Sequence, residues 1–388
     1  MKLWILSDYN SKKYYFYKRF SDLLRSSKNI NIEIDIKSKE NLWMSIFYFF
    51  ENPTLKLADV IEIPHQWTTL VSKLGVALPL LSVMDEDITN RLYPFMKKTM
   101  ICEATDKLFS LPVWFEILVM FYRKDMIKPF ASSSEMKNLK WNDIFILCDK
   151  LKKRYRQKYY FPFENPNIEG YIGSDEMLGC VMNRSSGYFS SDMTMINLHR
   201  DEVLVSVLDF LSLAQKKYYP LFEENFFEIG FIRRGLSSML FSFRRDIKDD
   251  GMICVRFPDI MRAKEIARAS SFFFFSGSNN LDEIKAFVSE FYTPSNLLEL
   301  AKIVGAFSPF KNSHLELIGD KESSFYDELF EKIEFIPNIY IYPTFERMMN
   351  EFLREQAENI VNSRYKVDDV KKRLGEIKVL CEYLMSSY

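Results

Sequence analysis

Leu111-Pro112-Val113-Trp114-Phe115-Glu116-Ile117-Leu118-Val119-Met120-Phe121-Tyr122-Arg123-Lys124-Asp125 is the stretch on which the reading of this chain turns. From Val113 to Phe121 it is apolar apart from Glu116, the pattern of a buried strand interrupted by one carboxylate. An unpaired buried carboxylate is costly, so Glu116 faces either a cleft or a buried cation such as Arg123 or Arg245. Trp114 and Phe115 precede it on alternating strand faces, which sends one ring into a core and leaves the other to face the cleft.

Upstream of this stretch, residues 4–6 read as a short buried strand and residues 14–24 carry apolar side chains at helical spacing. Ile30, Ile32, Ile34 and Ile36 then alternate with polar neighbours. Residues 42–50 give a second helix, ending near Asn52-Pro53, and residues 58–63 another buried strand. Repeated strand, helix, strand units predict a mainly parallel sheet covered by helices. Downstream, helices are predicted over 141–155, 201–217 and 282–291, and the span 345–384 reads as helical with a break near Ser363. No internal repeat or low-complexity linker separates these elements, so two lobes joined by crossing strands are expected.

Length supports two lobes, since 388 residues exceed what one core usually serves. Lys plus Arg number 52 against 53 Asp plus Glu, a near balance that gives no field attracting nucleic acid or an anionic membrane. The 35 Phe and 21 Tyr point to an aromatic core or to aromatic gripping surfaces, the core being the commoner use. Cys102, Cys148, Cys180, Cys254 and Cys381 show no metal-ligand spacing with the three histidines. They suit reduced, buried thiols better than a disulfide framework. After Met1 there is no hydrophobic leader, cleavage site or lipid-acceptor cysteine. The protein is cytoplasmic if Met1 is the native start, and extracytoplasmic, periplasmic or lipid-anchored, if an export signal was removed. Apolar runs such as residues 272–275 are too short to span a bilayer.

Several segments, in order and with matching spacing, resemble the maltose-binding type of bacterial extracellular solute-binding protein. Residues 4–8 look like that family's first strand ending in a sugar-binding aspartate, and residues 59–67 like its strand and loop before the next helix. Residues 111–125 are similar to the segment at which that family first crosses between lobes. Lys140 to Ile144, Phe231 with residues 234–239, residues 305–309 and residues 337–339 continue the match over nearly the whole chain. The resemblance implies an α/β, two-lobed periplasmic-binding-protein-like fold of type II, with an interlobe cleft and discontinuous lobes. Residues 1–117 and 267–315 would form one, and residues 118–266 and 316–388 the other.

The candidate ligand-binding residues are Asp8, Tyr9, His65, Gln66, Trp67, Trp114, Glu116, Tyr171, Tyr188, Arg245 and Tyr342; the resemblance implies this role for Asp8 and Glu116 and places Tyr171 and Tyr188 in second-lobe loops where family members make contacts. Asn183 and Arg184 lie in the same second-lobe region. Asp8 also suits a helix N-cap, and His65, Gln66 and Trp67 equally suit a capped helix start with the indole in a core. Positions at which maltose binders stack tryptophan on sugar are here Ile63, Arg245 and Glu346, and Tyr9 stands where a basic residue is usual. Trp67, Phe243, Tyr342 and Phe345 either rebuild that platform or are plain core aromatics. In place of the family's glycine-rich return crossing stand Ala267-Arg268-Ala269-Ser270-Ser271, whose side chains narrow the cleft.

No GxSxG, HExxH, Walker or GxGxxG signature occurs, so no enzyme and no cofactor or metal is expected. The expected partner is a small solute, carbohydrate-like, with hinge closure signalling to an ABC-type transporter permease or a signalling protein. The alternative is a cytoplasmic interaction or sensor protein on the same scaffold, its sugar site altered or lost.

Overall fold

A computed structural model describes the chain apart from residues 8–10, 53, 85, 103–106, 158, 166–172, 186, 191–192, 222–231, 233, 244–250, 257, 259–263, 319 and 388. Its strands are β1 (Lys2–Leu6), β2 (Glu33–Lys37), β3 (Val60–Pro64), β4 (Ile101–Cys102), β5 (Lys107–Leu108), β6 (Ser110–Ile117), β7 (Val119–Arg123), β8 (Phe161–Phe163), β9 (Ser237–Ser242), β10 (Met252–Arg256), β11 (Glu265–Phe274) and β12 (Ile333–Phe335). The chain divides into two compact units. Unit 1 comprises Met1–Glu116, Ala267–Glu328 and Phe335–Tyr342, and unit 2 comprises Ile117–Ile266, Leu329–Glu334 and Pro343–Tyr388.

The largest sheet has the order β12-β11-β3-β1-β2, with β6 on β11. The parallel pairing read from the sequence holds for β1 with β2 and β1 with β3, whereas β11 runs antiparallel to β3. β1 lies between two neighbours, which is why Leu3, Trp4 and Ile5 are all buried; the edge strand β2 is covered only in part and leaves Ile36 exposed. Phe16, Tyr17, Phe20 and Leu24 form the buried stripe of the helix Ser11–Lys28. Phe272, Phe287 and Phe291 meet this stripe. The Phe291 ring centroid lies 5.2 Å from Phe20, 5.3 Å from Phe272 and 5.2 Å from Phe287, so these aromatic rings make core.

Local chemistry explains the helix ends. Pro294 opens the helix Pro294–Val304 behind a Thr293 cap that accepts from Asn296 N, and Gly305, at φ +73°, closes it in the left-handed region. Ser363, at φ 57°, lies in the predicted break between the helices Tyr342–Val361 and Val367–Ser386.

In unit 2 the sheet order is β10-β7-β9-β8, antiparallel at β10 with β7 and at β7 with β9, parallel at β8 with β9. Trp141, at the start of the helix Trp141–Arg154, is wholly buried and stacks on Phe210 and Phe241, at 6.2 Å and 6.0 Å. That stack seats the helices Trp141–Arg154 and Asp201–Gln215 on the sheet. Among the described residues no helix is long and apolar enough to cross a membrane.

Candidate functional site

The residues of β6 divide by strand alternation. Val113 and Phe115 are fully buried, the Phe115 ring resting 5.4 Å from Phe307 and 5.4 Å from Phe95. Trp114 and Glu116 point the other way. Trp114 is half-buried, with its indole N–H unpaired among the described residues, and the Glu116 carboxylate accepts from Arg268 Nε at 2.8 Å. Arg268 is 32% exposed at its side chain and Glu116 4%. The cation that answers Glu116 is therefore neither of the two candidates, Arg123 and Arg245. Arg123 instead forms an ion pair with Asp125 at 2.7 Å and donates to the Ile232 carbonyl, and Arg245 lies outside the described residues. Arg268 reaches Glu116 because β6 and β11 are neighbouring strands.

Two residues along β11, on the same side as Arg268, Ser270 donates to Glu62 Oε1 at 2.6 Å. The Glu62 carboxylate is wholly buried. Lys13 Nζ donates to its Oε1 at 2.8 Å and also to the Leu6 carbonyl, while the Leu6 N–H donates to its Oε2 at 3.2 Å. The same ammonium lies 5.8 Å from the Trp114 ring centroid, within cation–π range. Burial, and then the Glu62 charge, push the phenols of Tyr17 and Tyr292 well above the ordinary tyrosine value, so both stay neutral. Unit 1 thus carries a row of polar side chains, Lys13, Glu62, Ser270, Arg268 and Glu116, with Trp114 beside it. Each carboxylate in the row is matched by a cation, Glu62 by Lys13 and Glu116 by Arg268.

Gln66, two residues after β3, is buried with its amide oxygen unpaired among the described residues. His65 is different: its Nδ1 accepts from the Ala269 N–H at 3.0 Å and its Nε2 lies 2.9 Å from the Ile336 carbonyl, so both ring nitrogens serve the backbone. Trp67 packs in the core, 5.2 Å from Trp43. Tyr342 is buried in unit 1. Tyr188 is buried in unit 2, 5.2 Å from Phe345, and Asn183 is buried as well; among the described residues the Tyr188 hydroxyl and the Asn183 side-chain amide are unpaired, and Arg184 pairs with Asp209 at 2.7 Å. Phe243, Phe345, Ile63 and Glu346 are all buried. Asp8, Tyr9 and Tyr171 lie outside the described residues. Among the described residues no group of three metal-ligating side chains occurs.

Sequence reading missed Lys13, Glu62, Arg268 and Ser270 as members of one row. A signal existed for two of them. Lys13 falls on the apolar stripe at 13, 16, 17, 20 and 24 of the first helix, and Glu62, like Glu116, interrupts an apolar run.

Against known proteins, no family model matches the chain. A search of curated proteins finds no match either. Solved structures do match. The sugar-binding protein MalE from the phytopathogen Xanthomonas citri aligns over 100% of this chain and 97% of its own, with 13% sequence identity and a TM-score of 0.75. A Thermus thermophilus maltotriose-binding protein, bound with maltotriose, aligns over 99% and 100%, with 16% identity and a TM-score of 0.72. An ABC transporter solute-binding protein from Thermotoga lettingae, bound with α-D-tagatose, aligns over 99% and 99%, with 11% identity and a TM-score of 0.77.

The fold is that of the maltose-binding type of solute-binding protein.

In this maltose-binding-type fold β1 and β3 run parallel and end at Leu6 and Pro64, and Lys13, Glu62 and Gln66 gather at those ends. Open α/β sheets commonly hold their ligands at the carboxyl ends of strands.

Proposed function

We propose that this chain is a non-enzymatic solute-binding protein. It takes a carbohydrate-like ligand in the cleft that the fold class implies, with Trp114, Glu116 and Gln66 among its contacts, and closes about a hinge so that an ABC-type transporter or a sensor reads the closed form. The observation that carries this reading is the half-buried Trp114 beside the Glu116–Arg268 pair on one side of β6, an apolar ring next to charged hydrogen-bonding groups. Sugars offer that same alternation of apolar ring faces and hydroxyls. Asp8, Tyr9, Tyr171 and Arg245 stay in the proposal by their place in the sequence, and Tyr188 and Tyr342 as buried aromatics.

A second reading, an interaction or sensor protein whose sugar site has been altered or lost, is favoured by one observation. Arg268 already occupies the Glu116 carboxylate, at a place where the resembled family is glycine-rich. Native mass spectrometry of freshly purified protein separates the two. A co-purified solute of hexose or oligosaccharide mass supports the first reading. Protein that carries nothing, and whose melting temperature maltose, maltotriose and tagatose all leave unmoved, supports the second.

A further inference from the structure

Unit 2 contains a carboxyl group that the proposed solute site does not use. Glu265 is the first residue of β11, and its side chain is wholly buried. Among the described residues neither of its carboxyl oxygens has a hydrogen-bond partner. Two cations among the described residues face it. The Arg256 guanidinium at the end of β10 brings Nε to 3.5 Å, too far for a good hydrogen bond, and Lys332 approaches from the segment before β12. The adjacent charges, Lys264 and Glu334, satisfy each other at 2.6 Å. The backbone at this point is pinned on both sides of the strand: the Glu265 N–H donates to the Lys332 carbonyl at 2.8 Å, and the Leu118 N–H to the Ile266 carbonyl at 2.8 Å. Directly after Ile266 the chain passes from unit 2 into unit 1.

A buried carboxylate with no hydrogen bonds costs far more than a neutral carboxyl in the same place. From this geometry we propose that Glu265 is a proton-operated latch on the unit-2 end of β11. The neutral carboxyl is the cheaper form to bury; loss of its proton to solvent creates a buried anion that strains towards Arg256 and loosens the strand just before it enters unit 1. Burial pushes the group from 4.5 up to about 7, with Arg256 and Lys332 pulling the other way. The sign follows from the folded value lying above the unfolded one. The stabilising contribution is complete below about pH 4.5 and is lost as the pH rises through about 7.

Thermal unfolding of the wild type and of Glu265→Gln between pH 5 and pH 8.5 tests the latch, because the amide mimics the neutral carboxyl at every pH. The wild-type melting temperature should fall by roughly 3 to 6 °C more than that of the variant across this range. Amide exchange at residues 265–267, corrected for its intrinsic pH dependence, should quicken in the wild type alone. Parallel melting curves with unchanged exchange would overturn the proposal. If Glu265→Gln does not fold, Arg256→Gln decides. Losing that cation should move the midpoint of the pH-dependent loss upward, by about one pH unit, and a midpoint that stays in place would equally overturn it.

Discussion

Lys13 Nζ and Glu62 Oε1 lie 2.8 Å apart, both side chains being buried, and the pair joins the first helix to the carboxyl ends of β1 and β3. Removing one member of such a pair strands the other charge away from water. Lys13→Met should therefore destabilise the protein by about 3 to 5 kcal/mol, whereas Lys13→Met with Glu62→Leu should recover a large part of that loss. Denaturant unfolding of the single and double variants measures both. A double variant no more stable than Lys13→Met would show that the charges are not coupled as their geometry requires.

Glu116 differs, because its partner is a third exposed and can be solvated when the carboxylate goes. In Glu116→Gln the amide oxygen still accepts from Arg268, so the unliganded protein should lose only about 1 kcal/mol or less. Solute affinity should fall by about tenfold to a hundredfold, the worth of a charge-assisted hydrogen bond to a hydroxyl. Calorimetric titration with the co-purified solute, run beside thermal unfolding of the apo protein, separates the two quantities. A large loss of apo stability with unchanged affinity would make Glu116 a structural residue and displace the proposed site.

What could be read from the sequence was what depends on nearby residues. Helical spacing in 14–24, 201–217 and 282–291, the apolar run at 4–6 and the break near Ser363 are local patterns, and each appears as an element or an end. The order of segments along the chain carried the fold class further than any single motif. Arg268 lies 152 residues from Glu116, and the backbone groups that hold His65 lie 204 and 271 residues away. No periodicity reports which strands become neighbours over such distances. His65 shows the consequence, since a polar ring after a buried strand reads as a ligand contact until both its nitrogens are found spoken for.

That histidine gives a third prediction. His65→Phe keeps a ring of similar bulk near Phe335, whose centroid is 5.3 Å away, but leaves the buried Ala269 N–H and Ile336 carbonyl without partners. Each orphaned group costs about 1 to 3 kcal/mol, so a total loss of about 2 to 6 kcal/mol is expected. The Ala269 amide should exchange with solvent markedly faster than in the wild type. Wild-type stability and exchange in the variant would mean that water or a shifted backbone supplies those bonds.

The cysteines supply the last test, because burial and thiol chemistry rank them without reference to function. Cys102, Cys148, Cys180 and Cys381 are buried and Cys254, on β10, is half-buried; among the described residues none forms a disulfide. Burial pushes the Cys148 thiol well above its ordinary value and raises Cys381 to about 12, where it lies on the helix Val367–Ser386 against Met348. The thiolate is the nucleophile, so at pH 8 a thiol titrating near 12 presents about one reactive molecule in ten thousand, against roughly one in four for an ordinary cysteine. Iodoacetamide at pH 8 should thus label Cys254 first in the folded protein. Cys148 and Cys381 should react only on the timescale of unfolding, and a short denaturant pulse should expose all five together. Peptide mass spectrometry of timed samples reads the order directly. Labelling of Cys381 as fast as Cys254 under native conditions would mean that the last helix does not stay packed on unit 2.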